Sequence, residues 1–298
     1  MADALERALR EALPSLEIRA MEPLRDHTSF RIGGPARLLL LPGSGEELAK
    51  TCSLLRHWGE KPVLLGNGTN VLAPDEGLDR VVIVTSQAAA MSLAGCTLTA
   101  DCGAGLTRLS ALAAKGGCTG LEFAYGIPGT LGGALTMNAG AYGGEMKDVT
   151  ARVDYLDGDL QPRTAAGEAL GFGYRRSRFG PEDVILRAVL TLRKGDPGEI
   201  RERCRALTEK RKASQPLDLP SAGSAFKRPE QGYAAALIDE AGLKGFAVGG
   251  AQVSEKHAGF VVNRGGATAA EVRLLLEEVR KRVYDHSGVW LEPEIRML

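Results

Sequence analysis

The chain of 298 residues has no long hydrophobic run, little cysteine, little histidine and no net charge. No stretch approaches the roughly 18 consecutive apolar residues of a membrane span, and the leucines at 38–41 stop at Pro42. The first residues set Asp3, Glu6, Arg7, Arg10 and Glu11 among their apolar neighbours, whereas a secretory signal needs an uncharged apolar core. The five cysteines (Cys52, Cys96, Cys102, Cys118 and Cys204) are odd in number and have no C-x-x-C spacing. That argues against a disulfide framework or a zinc site and fits a reducing cytosol. The four histidines have no metal-ligand spacing, so no metal site is expected; His27, His57 and His286 read as ordinary. Lys+Arg and Asp+Glu are both 37, which argues against a nucleic-acid coat or a polybasic membrane binder but leaves a local anion site open. With 44% hydrophobic and 25% charged residues, the chain has the composition of an ordinary folded protein, and its length suits two domains.

Glycine is what the sequence has in excess: 38 residues, against an average near 7%. They have no period, so collagen and linker readings fail. They cluster at 66–68, 103–105, 116–120, 126–133, 140–144, 242–250 and 265–266. Clustered glycines mean turns at positive φ or backbone lying close to something.

Periodicity outlines the elements. Leu5, Leu9, Leu13 and Leu16 predict an amphipathic first helix that Pro14 shortens. Residues 37–41, 63–65 and 81–84 read as short strands. Ser44 and Glu47 form a capping box ahead of a helix with Leu48, Cys52 and Leu55 on its buried face. Leu106, Leu109 and Ala113 predict a helix stopped by Gly116. The texture from 149 to 192 is β, and Pro197 opens a helix. A loop over 214–230 leads to a helix carrying Tyr233, Leu237 and Ile238. Thr268 and Glu271 cap a final long helix.

Two glycine-rich segments read as anion nests, in which successive backbone N–H groups face a ligand. The first is 65–72, with Thr69 and Asn70 beside its amides. The second is 124–133 continued by 138–144, polar only through amides, Thr and Asn. Gly66-Asn-Gly-Thr-Asn-Val and Gly103-Ala-Gly-Leu-Thr-Arg have the first two glycines of G-x-G-x-x-G but not the third, and there is no G-x-x-x-x-G-K-[ST]. A single such turn reads as a tight turn. Two between strands favour a cofactor cradle.

The strings GNGTNVL, GLEFAYGIPGTLGGALTMNAGAYG, GYRRS, SAGSAFKRP, AALIDEAGLKG, AQVSEKHAGFVVN and LEPEIR occur in that order. Together they resemble the UDP-N-acetylenolpyruvoylglucosamine reductase family over roughly residues 25–296, in the compact variety that lacks an extra substrate-domain loop. Departures are small: Thr69 stands for a more frequent Ser, and Ala73-Pro74 replaces an aliphatic-polar pair. The resemblance implies an α+β fold with a two-lobed FAD-binding domain of the vanillyl-alcohol-oxidase/PCMH type over 1–200, its lobes about 1–85 and 86–200. A smaller α/β substrate-binding domain follows over 201–298, with a last strand near 290–298 bringing a catalytic residue back to the flavin.

The implied activity is NADPH-dependent reduction of the enolpyruvyl ether of a UDP-sugar, in peptidoglycan synthesis in the cytoplasm. The implied enzyme is a monomer with no nucleic-acid or membrane partner. A side chain cannot supply hydride, so a flavin or nicotinamide must; the resemblance implies FAD, with NADPH as co-substrate. Implied FAD contacts are Gly66, Asn67, Gly68, Thr69, Asn70, Gly126, Ile127, Pro128, Gly129, Thr130, Gly132, Gly133, Asn138, Ala139, Gly140 and Ala141. Arg175 matches a carboxylate-binding arginine, Ser224 a proton donor and Glu294 a catalytic acidic residue. On the residues alone each has a plainer reading: a surface charge for Arg175, Arg176 or Arg178, a turn cap for Ser224, a surface carboxylate for Glu292 or Glu294. Tyr142, Tyr174, Lys227, Arg228, Lys256 and His257 are candidate substrate contacts. Two competing functions are an FAD-linked oxidase of a small alcohol or sugar, and a nucleotide-sugar binding protein without turnover.

Overall fold

Apolar stripes at helical spacing decide where this chain coils. In the computed structural model, which describes residues 2–298, α1 (Ala2–Ala12) ends ahead of Pro14, and Leu5, Leu9, Leu13 and Leu16 join one buried cluster. In α2 (Gly45–His57) the expected capping box is half-made. Ser44 Oγ accepts from Glu47 N at 3.1 Å, but the Glu47 carboxylate accepts from Gly43 N instead, at 2.7 Å. Helix α3 (Leu106–Lys115) stops at Gly116.

The glycine-rich segment read as a cradle loop contains a helix, α4 (Leu131–Met137). Gly132 lets it lie against residue 102: a Cβ there would sit 3.2 Å from Cys102 Cβ and 3.3 Å from its carbonyl oxygen. Helix α5 (Pro197–Ser214) begins at the expected proline. The stretch 214–230 is not all loop, for it holds the strand Ser221–Ser224. Tyr233 precedes α6 (Ala234–Glu240) as an exposed N-cap rather than lying on its apolar face. Thr268 and Glu271 form the full reciprocal box on α7 (Ala269–Ser287), which ends at Gly288 with φ +72°.

By its contacts the chain divides into two units. The first comprises residues 1–20, 37–67 and 80–210, and the second residues 21–36, 68–79 and 211–298. The division departs from the continuous one expected from sequence. It falls after 210 rather than near 200, and two short segments from the first 80 residues group with the last third. Local periodicity cannot reveal this, because these segments are assigned by long-range contacts.

The first unit holds a five-stranded antiparallel sheet in the order Pro162–Ala166, Thr150–Leu156, Val184–Thr191, Thr97–Asp101, Met91–Ala94. A four-stranded sheet runs Glu17–Pro23, Pro35–Leu41, Leu78–Val84, Val63–Leu65, with the last two parallel. One apolar cluster joins the two sheets with α1 to α4. Alternation predicts Val184, Leu186, Ala188, Leu190 and Leu192 on one buried face; all are buried except Leu186, which is half-buried while Ile185 is buried instead, at a register shift against Asp154-Tyr155. The second unit has an antiparallel sheet ordered Ser221–Ser224, Phe260–Asn263, Ala251–Val253, Ala247–Val248. Helices α6 and α7 supply Ile238, Val272, Leu275, Leu276 and Val279 to its core.

The expectation of no disulfide is corrected within the first unit, where Cys96 and Cys118 are bonded. Cys96 lies in the turn between Met91–Ala94 and Thr97–Asp101, and Cys118 follows α3. Twenty-two residues separate them in sequence, yet their Cα atoms are 5.6 Å apart, within bonding range. A search for C-x-x-C spacing does not detect such a pair. The remaining cysteines are buried, and burial pushes the thiols of Cys52 and Cys102 up to about 12 and that of Cys204 up as well. A thiol with so little thiolate is a poor nucleophile. The native protein at pH 8 is therefore expected to show no fast-reacting thiol against a disulfide reagent. Denatured without reductant it should release three thiols, and after reduction five. Five before reduction would remove the Cys96–Cys118 bond.

Candidate active site

In the first unit the glycine clusters converge. A Cβ on Gly66 would lie 2.3 Å from Thr130 Oγ1, and one on Gly103 would lie 1.9 Å from Thr85 O. Only glycine permits these approaches. Asn67 Nδ2 donates to Pro128 O at 2.7 Å, Gly126 N donates to Thr107 Oγ1 at 3.1 Å, and Gly105 bridges Thr130. The segments 66–67, 103–105 and 126–133 thus form one backbone-lined surface. Thr130 is buried at 2% exposure, and its hydroxyl has no hydrogen-bond partner. A buried polar atom left in this way calls for a partner from outside the chain. Amides, a hydroxyl and a bare backbone fit the uncharged ring and diphosphate of a dinucleotide.

Asn138 ends α4 in the left-handed region, φ +41° and ψ +56°. Its side chain is 1% exposed overall and fully engaged with protein. Nδ2 donates to Glu145 Oε2 at 2.7 Å and to Gly173 O at 3.0 Å, while Oδ1 accepts from Lys147 N at 2.9 Å. Gly173 opens a closed turn in which Gly173 N donates to Arg176 O at 3.0 Å. Arg175 sits at its tip with φ +55°, and its guanidinium lies 5.2 Å from the centre of the Tyr174 ring.

The second unit carries Ser224 and Glu294 on neighbouring segments. Glu294 N donates to Ala225 O at 2.9 Å, Lys227 N to Glu292 O at 2.8 Å, and Phe226 bridges Pro293. Ser224 is not a turn cap. It is the last residue of a strand and pairs with Phe260, while Ser221 pairs with Val262, so the strand carries an extra residue. Gly223 accommodates this bulge with φ +78°. Bulges re-aim the side chain that follows, which gives the sequence Ala-Gly-Ser its physical reason. Thr69 and Asn70 belong to the same neighbourhood. Asn70 Nδ2 donates to Glu294 O at 3.3 Å, Arg296 N donates to Asn70 O at 3.0 Å, and Thr69 O lies 3.9 Å from a Cβ built on Gly223.

The weaker candidates divide. Tyr142 and Tyr174 are exposed. Lys227 is ion-paired with Glu292, Lys256 Nζ donates to Lys212 O at 2.6 Å, and Arg228 lies over the Tyr233 ring at 4.2 Å. His257 Nδ1 accepts from Gly259 N at 3.1 Å, and its ring meets Phe260 edge-on. Among the described residues no group of His, Cys, Asp or Glu is arranged to hold a metal ion.

Sequence reasoning missed the residues that stitch the second unit together. Ser29 Oγ donates to Ser221 O at 2.6 Å and Ser29 N to Gly68 O at 3.1 Å. Asn263 Nδ2 donates to Phe30 O at 3.1 Å. The Asp75 carboxylate accepts from Ala269 N and Ala270 N, at 2.7 and 3.1 Å, at the start of α7. The available signal was the Gly33-Gly34 pair: a Cβ on Gly34 would lie 2.3 Å from Asp75 O.

The glycine-lined cradle of the first unit fits an FAD-binding oxidoreductase, and the second unit carries a bulged serine whose neighbour pairs by backbone with Glu294. The family profile for an FAD binding domain matches residues 36–160. The profile for the C-terminal domain of UDP-N-acetylenolpyruvoylglucosamine reductase matches 215–298. The UDP-N-acetylenolpyruvoylglucosamine reductase of Caldanaerobacter subterraneus subsp. tengcongensis is 44% identical over 100% of this chain and 99% of its own. That of Alkaliphilus oremlandii is 45% identical over 98% and 97%. The crystal structure of the Thermus caldophilus enzyme superposes with a TM-score of 0.79 at 36% identity, covering 95% of this chain and 98% of its own. The chain belongs to the UDP-N-acetylenolpyruvoylglucosamine reductase family. It is an FAD-dependent oxidoreductase with NADPH as reductant, and the match favours this activity over the oxidase.

Burial holds the His257 imidazole below its ordinary value, and Lys244 adds to the effect. The unfolded chain takes up this proton near pH 6.5. The contribution of His257 to stability is therefore whole above about pH 6.5 and is lost as pH falls through the lower folded value. In urea unfolding, His257→Gln should lose less stability than the parent between pH 7.5 and 5. An equal loss would assign the acid sensitivity to other groups.

Proposed function

We propose that this chain reduces the enolpyruvyl ether of a UDP-sugar in two half-reactions, and that Arg175, Ser224 and Glu294 serve the second. The chemistry that bound FAD would supply is hydride transfer between NADPH and the β-carbon of the enolpyruvyl group. The remaining work falls to side chains. Charge develops on the α-carbon and its carboxylate. The Arg175 guanidinium can hold that carboxylate by two parallel bonds, a geometry that lysine lacks. The Ser224 hydroxyl gives a proton to the α-carbon, a transfer favoured by the basicity of an enolate-like centre in a dry site. Glu294, beside a second carboxylate, would be driven toward its neutral, hydrogen-bonding form.

The observation that carries this reading is the bulge at Gly223 that presents Ser224 next to the segment of Glu294, whose N–H donates to Ala225 O. Within the first unit the orphaned Thr130 hydroxyl supports a cradle over 66–67, 126–133 and 138–141. In it Asn138 would contribute backbone only, because its amide is already engaged. Tyr142 and Tyr174 are exposed where they could meet substrate, with Lys210 and Arg175 against their rings, whereas Lys227 and Lys256 would first leave Glu292 and the Lys212 carbonyl. The first unit is read as the FAD-binding domain and the second as the substrate-binding domain. The enzyme is read as a cytoplasmic monomer acting on small molecules alone; the equal charge counts support the absence of a nucleic-acid partner. Among the described residues no helix is long and apolar enough to cross a membrane.

Ser224→Ala should leave flavin reduction by NADPH near the parent rate and slow reoxidation by the enolpyruvyl substrate about 10²–10⁴-fold. Anaerobic stopped-flow absorbance reads both halves, and equal slowing of the two would remove the assignment. Gly66→Ala forces a methyl against Thr130, an overpacking of roughly 1–3 kcal/mol, and should lower flavin retention about tenfold. The flavin-to-protein absorbance ratio after desalting measures this, and full retention would exclude the cradle at residue 66.

A further inference from the structure

Arg175 is held at a backbone angle that arginine rarely adopts, φ +55°, and a left-handed non-glycine residue persists only where its surroundings over-determine it. The surroundings are specific. On one side of Arg175, Asn138 Nδ2 donates to Gly173 O at 3.0 Å. On the other, Ser177 Oγ donates to Thr136 O at 3.0 Å and accepts from Phe179 N at 3.2 Å. Both anchors, Thr136 and Asn138, lie at the last turn of α4. The first turn of α4 begins at Thr130, within the glycine cradle. The helix is therefore a short rigid strut, one end in the cradle and the other pinned to both shoulders of the arginine turn. Helix capping alone would not require the Asn138 amide to reach a carbonyl 35 residues away.

We propose that Asn138 and Ser177 are positioning residues for Arg175, fixing the fork at a set distance from the cradle so that it meets a carboxylate without reorganising. This rests on the reading of Arg175 as the carboxylate clamp. It reassigns the Asn138 side chain from cofactor contact to arginine support.

Calorimetric titration of the flavin-loaded protein tests it with two ligands. UDP-N-acetylmuramate carries the carboxylate, and UDP-N-acetylglucosamine lacks it. Asn138→Gly keeps the left-handed backbone available and removes only the amide. Ser177→Ala removes the second tether and decides the matter alone should the first variant not fold. Each is expected to weaken UDP-N-acetylmuramate about tenfold, the size of one or two net hydrogen bonds, and UDP-N-acetylglucosamine less than about twofold. In Asn138→Gly/Arg175→Ala the loss should equal that of Arg175→Ala alone, since a residue acting through another is non-additive with it. Equal weakening of both ligands, or additive losses in the double variant, overturns the proposal. Arg175→Ala binding both ligands like the parent would instead fail the clamp reading, and the positioning role with it.

Discussion

The last eight residues of the chain are hydrogen-bonded along both edges, and the second unit depends on that arrangement. On one edge Glu294 N meets Ala225 O and Glu292 O accepts from Lys227 N. On the other, Arg296 and Met297 pair in parallel with Val71 and Leu72, and Leu298 N donates to Leu72 O. A terminal segment frays unless it is tied down. Here it is tied to two segments more than 150 residues apart in sequence, 70–72 and 225–227. The same ties bring Ser224, Glu294 and the Thr69-Asn70 pair into one neighbourhood. The chemistry assigned to this unit therefore relies on backbone pairing of the chain end more than on any single side-chain contact. Leu291 and Ile295, both buried in the same core, lock the segment from its apolar side.

Glycine does the corresponding work in the first unit, by removing side chains where two backbones must meet. Gly66 against Thr130 and Gly103 against Thr85 bring together loops from separate parts of the fold. What remains is a surface of amides and one unpaired hydroxyl, which suits a large cofactor whose specificity comes from shape and hydrogen bonding rather than charge. This accounts for a glycine-rich chain without a Rossmann or Walker pattern. Those patterns describe one helix N-terminus wrapped on a phosphate, whereas this cradle is assembled from several loops.

Much of this was legible in the sequence where the cause is local. Ser44, Pro197 and Thr268 marked helix starts because capping is decided within four residues. The alternation over 184–192 marked a strand, though a register shift buries Ile185 in place of Leu186. The family strings pointed to the glycine loops, Arg175, Ser224 and Glu294 together. The rest depends on contacts between distant segments, which no local pattern encodes. Helix α4 was hidden because Leu131-Gly-Gly-Ala reads as a breaker, yet Gly132 is there to pack closely on Cys102. The Cys96–Cys118 bond was hidden because a hairpin turn and a helix end bring the two together. The grouping of 21–36 and 68–79 with the last third was hidden because Ser29, Asp75 and Asn263 look like ordinary polar loop residues until their partners are known.

Two of the three residues proposed for the reaction share a mechanical feature. Arg175 is itself at positive φ, and Ser224 follows a glycine at positive φ inside a bulge. Left-handed backbone in an L-residue costs free energy, and it is retained where tertiary bonds fix it. At Arg175 the fixing bonds come from the end of α4, and at Ser224 from pairing with Phe260 on one strand and the chain end beyond it. Both side chains proposed for the reaction are thus carried on backbone that cannot relax without breaking several hydrogen bonds at once. Groups aimed at charge that exists only in the transition state act best when they need no reorganisation as it appears. Rigid support of this kind is how a short glycine-rich chain supplies it.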